Sequence, residues 1–142
     1  MATTGPALRM LDSHQSIHAG SHGEARDLTE VTEKLFEDKR QEDCFKAAEV
    51  LIEYIESRII AHADAEDEGF YLETLEKKPD LEKNIHMLMR DHDLMRQIVK
   101  KIKEQMNKRK EVTKSIINQF HSILIIHELH ARGEEENLFK DD

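Results

Sequence analysis

Residues 127–139 read HELHARGEEENLF, and residues 62–71 read HADAEDEGFY. Both hold His-x-x-x-Glu, as His62/Glu66 and His130/Glu134, then further acid and an aromatic residue nine positions after the histidine. On a helix, residues four apart lie one above the other on the same face. Each stretch therefore aims an imidazole and a carboxylate at one point, and the remaining pattern is what brings the two points together.

The same alternation of three and four recurs in four segments. Helix four carries Ile116, Phe120, Ile123, His127, His130 and Glu134, with Thr113 placed to cap it. Helix two carries Ala48, Ile52, Ile55, Ile59, His62 and Glu66. It should end near Lys77-Lys78-Pro79, where bases suit a helix C-terminus and proline disfavours continuation. Helix three carries Leu81, Ile85, Leu88, His92, Met95, Val99, Ile102 and Met106, with Asp80 as its expected cap. Helix one is expected to start at Gly5-Pro6 and to run through Leu11, His14, His18, Ser21, Ala25, Leu28, Thr32 and Leu35, weakened but not ended by Gly20 and Gly23. Loops are expected at 37–42 and 107–112. Four amphipathic helices with short connections predict an all-α, up-down-up-down four-helix bundle, one domain over residues 1–142.

Composition narrows the function. A net charge of -9 argues against nucleic acid and anionic membrane as partners, since both need a concentrated basic face. No segment approaches the roughly 20 apolar residues of a membrane span, and the N-terminus lacks a signal-peptide core. The single cysteine, Cys44, excludes an internal disulfide framework and a cysteine-based zinc finger. A cytoplasmic protein, monomeric or homodimeric, is expected.

Levelling neighbouring helices at about 1.5 Å per residue places polar residues at one depth of the core. One layer holds His18, His62, His92 and His130, and the next holds His14, Glu66 and Glu134. A single buried imidazole is easily satisfied by a hydroxyl or carbonyl. Five histidines and two glutamates are not, because each unpaired buried polar group costs roughly 1–3 kcal/mol and a lone carboxylate more. A cation among them resolves the difficulty. Imidazole with carboxylate suits iron, manganese or zinc. Seven side chains exceed the needs of one ion with an open position and suffice for two bridged by Glu66 and Glu134. Glu135 is the alternative to Glu134, which continues the inner stripe.

With LDSHQSIH (11–18), HADAEDEGFY, MLMRDHDLM (87–95) and HARGEEENLF (130–139), the chain resembles the hemerythrin-like family, the HHE cation-binding domain, over nearly its full length. The resemblance implies a non-haem centre of two iron ions, with His62, His92 and His130 as terminal ligands and Glu66 and Glu134 bridging. It implies a small partner, either a diatomic such as oxygen or nitric oxide, or peroxide. The oxygen-carrier pattern has His-x-x-x-His on helix three, whereas here Leu88 and Arg96 flank His92. An additional His14/His18 pair on helix one restores the total of five. The carrier's second carboxylate, five after its histidine, corresponds to Glu135.

Three functions compete. A di-iron protein that binds or senses a small ligand, or iron itself, leads. A di-iron oxidase or peroxidase is the enzyme alternative, although the Glu-x-x-His of ferritin-like oxidases precedes none of the nine histidines. A structural helical module is the third. HELH lacks the spacing of the His-Glu-x-x-His zinc hydrolases. His22, His86 and His121 are expected at the surface, and His127 beside the ligands. Tyr54 and Tyr71 could approach a metal or donate to a bound oxygen species, but are expected as partly buried aromatics; Met95 is expected to pack, and Cys44 to be a free thiol remote from the site.

Overall fold

A computed structural model describes residues 11–139. The expected start at Gly5-Pro6 lies outside the described residues. Those described form four long helices and no strand: α1 (Leu11–Glu37), α2 (41–77), α3 (Glu82–Arg109) and α4 (Lys114–Asn137). None is long and apolar enough to cross a membrane. α1 packs on α2 and α4, and α3 packs on α4.

The Thr113 hydroxyl accepts from the Ile116 amide at 3.3 Å, capping α4 as its position predicts. Asp80 caps nothing. Pro79 starts a 3-10 turn, Pro79–Leu81, which absorbs Asp80, and α3 begins after Leu81 without a side-chain cap. The connections are tighter than expected, because α1 reaches Glu37, α2 starts at Gln41 and α3 reaches Arg109. With no glycine at either turn, Lys39 and Lys110 take the left-handed conformation themselves, at φ 60° and 56°. Gln41 ties the two turns together, accepting from the Val112 amide at 2.6 Å and donating to its carbonyl at 3.2 Å.

α2 is not a uniform α-helix. Ile55–Ile60 and Glu66–Phe70 are π-helical, separated by the α-helical turn Ala61–Ala65. Each π segment inserts an extra residue into a turn, so faces shift along the helix.

Apolar side chains form two clusters. The larger includes Leu51, Ile55, Ile59, Met95, Ile102, Ile116, Phe120 and Ile123. The smaller consists of Phe70, Tyr71, Ile85, Leu88 and Leu138. On α2, α3 and α4 alike, the inner polar residues fall in sequence between the two: Ile59 then His62 and Glu66 then Phe70, Leu88 then His92 then Met95, Ile123 then His130 and Glu134 then Leu138.

Candidate metal centre

Between these clusters lies a group of four buried side chains, Glu66, His92, His130 and Glu134, each offering an atom within 4.8 Å of the others. His92 Nε2 stands 3.1 Å from Glu66 Oε1, and His130 Nε2 stands 3.3 Å from Glu134 Oε2. The two imidazoles meet Nε2 to Nε2 at 2.9 Å. Two further predicted residues join through the carboxylates. His14 Nε2 pairs with Glu134 Oε1 at 2.5 Å, and His62 Nε2 lies 3.3 Å from Glu66 Oε2.

The outer nitrogens explain why the inner ones converge. His92 Nδ1 donates to Asp67 Oδ1 at 2.8 Å, and His130 Nδ1 donates to Asp91 Oδ2 at 2.9 Å. An aspartate behind an imidazole fixes its tautomer and leaves Nε2 to face the centre, as in carboxylate–histidine–metal arrangements. Arg96 in turn holds Asp67 Oδ2 at 2.6 Å and Asp64 Oδ1 at 2.7 Å. Two Nε2 lone pairs 2.9 Å apart repel one another, so a proton or a cation has to lie among these atoms.

In the absence of a cation, protons fill that role. Burial opposes charge on His130, but Glu134, Asp91 and Glu66 outweigh it and hold the imidazole well above its ordinary value. Burial likewise works against His92 and His14, and Asp67 with Glu66, and Glu134, respectively lift them. Burial would raise Glu66, but the imidazoles of His130, His62 and His92 around it pull its carboxyl well below the usual range. Glu66 Oε2 and the Nδ1 atoms of His14 and His62 are buried without a hydrogen-bond partner. These features suit a cation: negative carboxylates, converging nitrogens and an unsatisfied carboxylate oxygen.

Tyr71 stands in the middle of the group, fully buried. Its hydroxyl donates to Glu134 Oε2 and lies 3.0 Å from His130 Nε2 and 3.4 Å from Glu66 Oε1. Burial first, then the charges of Glu66 and Glu134, push its phenol well above the ordinary value. The expectation that Tyr71 is only a partly buried aromatic is corrected by this contact set. The reason is the π turn Glu66–Phe70, in which the Tyr71 amide bonds to the Glu66 carbonyl five residues back and brings Tyr71 onto the face of Glu66. The available signal was the aromatic shared by both repeats; Phe139, its counterpart, instead packs 4.9 Å from the His14 ring. Asp67, Asp91 and Arg96 were also missed, since periodicity assigns no partner to an exposed acid or base.

His18 stands apart from these six. Its Nε2 lies 3.0 Å from Glu128 Oε1, and its ring centroid is 4.4 Å from that of His127. His22, expected at the surface, has a side chain only 19% exposed and meets His127 Nδ1 to Nδ1 at 3.1 Å. α4 packs against α1 and covers the stripe edge on which His22 lies. Burial, then neighbouring histidine charge, pushes His127 well below its ordinary value and lowers His22. His86 is exposed, and His121 pairs with Glu33 at 2.9 Å near the surface. Glu135 is 29% exposed and reaches only to 3.9 Å from His14 Nδ1, whereas Glu134 is 2% exposed. Cys44 is a buried free thiol in the larger apolar cluster.

A cavity of about 20 Å³, room for about one water-sized sphere, is lined by His14, His62, Glu66, His92, His130 and Glu134. No family model, curated protein or solved structure matches this chain.

Proposed function

We propose that this chain is a hemerythrin-like, up-down-up-down bundle whose core holds two non-haem irons and binds or senses a small ligand such as oxygen, nitric oxide or peroxide, or iron itself. The observation that carries the reading is the meeting of His92 and His130 Nε2 at 2.9 Å between two buried carboxylates, each ring backed by an aspartate. Connections as short as 38–40 favour neighbouring helices of opposite direction.

In this reading His14, His62, His92 and His130 would offer neutral imidazole nitrogens to the irons, and Glu66 and Glu134 would offer their carboxylate oxygens. Manganese or zinc fits the same donors. Iron supplies redox chemistry and open positions for a small ligand. The chain's own residues orient and exclude: Asp67 and Asp91 hold the imidazole tautomers, Tyr71 places a hydroxyl beside Glu134, and the two apolar clusters keep bulk water away on either side. A single free cysteine and a net charge of -9 suit a cytoplasmic monomer or homodimer without nucleic-acid or membrane partners.

The test is metal analysis with an optical spectrum of protein purified from iron-supplied cells, beside His130→Ala. The reading expects about two irons per chain in the wild type and a major loss in the variant. Folded wild-type protein that takes up no iron, manganese or zinc would leave a structural bundle. Steady consumption of peroxide with a reductant would instead make the protein an enzyme of the peroxidase class.

A further inference from the structure

A second histidine group lies outside the six residues of the core centre. His18 and His22 are one turn apart on α1, and His127 faces them from α4. One nitrogen from each lies within 4.8 Å of the other two. Their rings are in mutual contact, with centroids 4.4 Å apart for His18 and His127, 5.2 Å for His18 and His22, and 5.3 Å for His22 and His127. Glu128 adds a carboxylate: its Oε1 stands 3.0 Å from His18 Nε2 and 3.8 Å from His22 Nε2, while Oε2 accepts from Arg132 Nε at 3.2 Å.

Ordinary packing does not account for this arrangement. Three imidazoles stacked together repel as soon as more than one is charged, and they gain little as apolar filler. His22 and His127 turn Nδ1 toward Nδ1 at 3.1 Å, so one of the two faces a nitrogen that must act as its acceptor. Among the described residues no aspartate backs these rings as Asp67 and Asp91 back the core pair, and Glu128 is the carboxylate that contacts them. A histidine pair at i and i+4 on one helix, completed from a neighbouring helix, is a geometry that suits a transition-metal ion.

We propose that His18, His22 and His127, with Glu128 as fourth donor, form a separate site for one borderline divalent cation of the zinc and cobalt kind. Three imidazoles and a carboxylate match four-coordinate binding, and the absence of sulfur together with the nitrogen majority selects such ions over magnesium or calcium. His18 and His22 are partly exposed, at 15% and 19%, so their rings have freedom to close on an ion. The cavity that touches the core ligands is lined by His18 and His127 as well. Nothing in this site depends on iron occupying the core.

The probe is cobalt(II), whose visible spectrum reports four-coordinate binding, titrated into metal-free full-length protein. Wild type should take up cobalt with the bands of a four-coordinate ion. His22→Ala should lose those bands and about one equivalent of cobalt per chain while keeping wild-type iron content. Glu128→Gln should weaken the same event by about tenfold. His92→Ala, or Glu66→Gln should the first fail to fold by circular dichroism, should retain the bands while losing iron. Wild-type stoichiometry and affinity in His22→Ala, or no four-coordinate cobalt in the wild type, would overturn the second site. Iron loss in the core variants alone would still leave the core reading standing, so the two failures are distinguishable.

Discussion

Tyr71 is the residue on which the buried group turns. Its hydroxyl has one proton, which goes to Glu134, with Glu66 Oε1 a more distant acceptor at 3.4 Å, and a lone pair is left for His130 Nε2 at 3.0 Å. Tyr71→Phe keeps the ring and removes that donor. In metal-free protein it should cost about 1–3 kcal/mol, the price of leaving buried polar atoms unmatched, read as a lower urea midpoint at unchanged slope. Iron uptake should survive with an altered optical spectrum; an identical spectrum and midpoint would mean the phenol is a bystander. Asp67 acts at one remove, through His92 Nδ1. Asp67→Asn lets the ring turn and lowers its basicity, and iron affinity should fall about 10- to 100-fold in a competition titration with a chelator. Unchanged affinity would show that His92 is held by packing alone.

Among the elements, α2 is set apart by its two π segments. The wide turn Glu66–Phe70 spends five residues where an α-helical turn would spend four, and this is what stacks Tyr71 above Glu66. Deleting Gly69, whose Cα faces open space, should close the turn to α-helical spacing and leave that stacking in place. Iron content should therefore be retained; its loss would show that the π turn holds more than the register of Tyr71. The α3 terminus offers a simpler test. Lys110 ends the helix at φ 56°, a conformation that costs a residue with a Cβ roughly 1–2 kcal/mol and costs glycine little. Lys110→Gly should stabilise the protein by about 1 kcal/mol, less whatever the Lys110 Nζ bond to Asn107 contributes, measured by urea unfolding. A drop in the midpoint would locate the missing stability in that side chain.

For the molecule as a whole, a polar layer lies between two apolar clusters, and its charge makes stability depend on pH. Without metal, His14, His92 and His130 sit above the usual histidine value of 6.5. Their contribution is complete below the unfolded value and is lost as pH rises through the raised ones. His22 and His127, lowered by burial, are neutral in both states above neutral pH and do not offset this loss. As pH rises above the ordinary histidine value, the metal-free protein should therefore melt progressively lower. Metal-loaded protein should melt almost independently of pH over the same range, because its ligands have already lost those protons to the ion and the unfolded histidines are neutral too. Calorimetric titration at neutral pH in buffers of different ionisation enthalpy should accordingly detect proton release on loading. Parallel melting curves for the two forms would argue that no proton-bearing ligand is displaced.

The three-and-four spacing was sufficient to read an all-helical chain, the four helices, the Thr113 cap and the burial of His14, Glu66, His92, His130 and Glu134, because one face of a helix can be followed through the residues of that helix alone. His-x-x-x-Glu was legible for the same reason, as a contact within one turn. The π turns, the cover that α4 lays over His22, the pairing of His18 with Glu128, and the aspartates behind His92 and His130 were not legible. Each depends on how a helix is rotated and packed against its neighbour, and a rotation smaller than one residue step decides which atoms meet. Side-chain identity and period settled which residues face inward, and only the packed helices settled which of those residues touch.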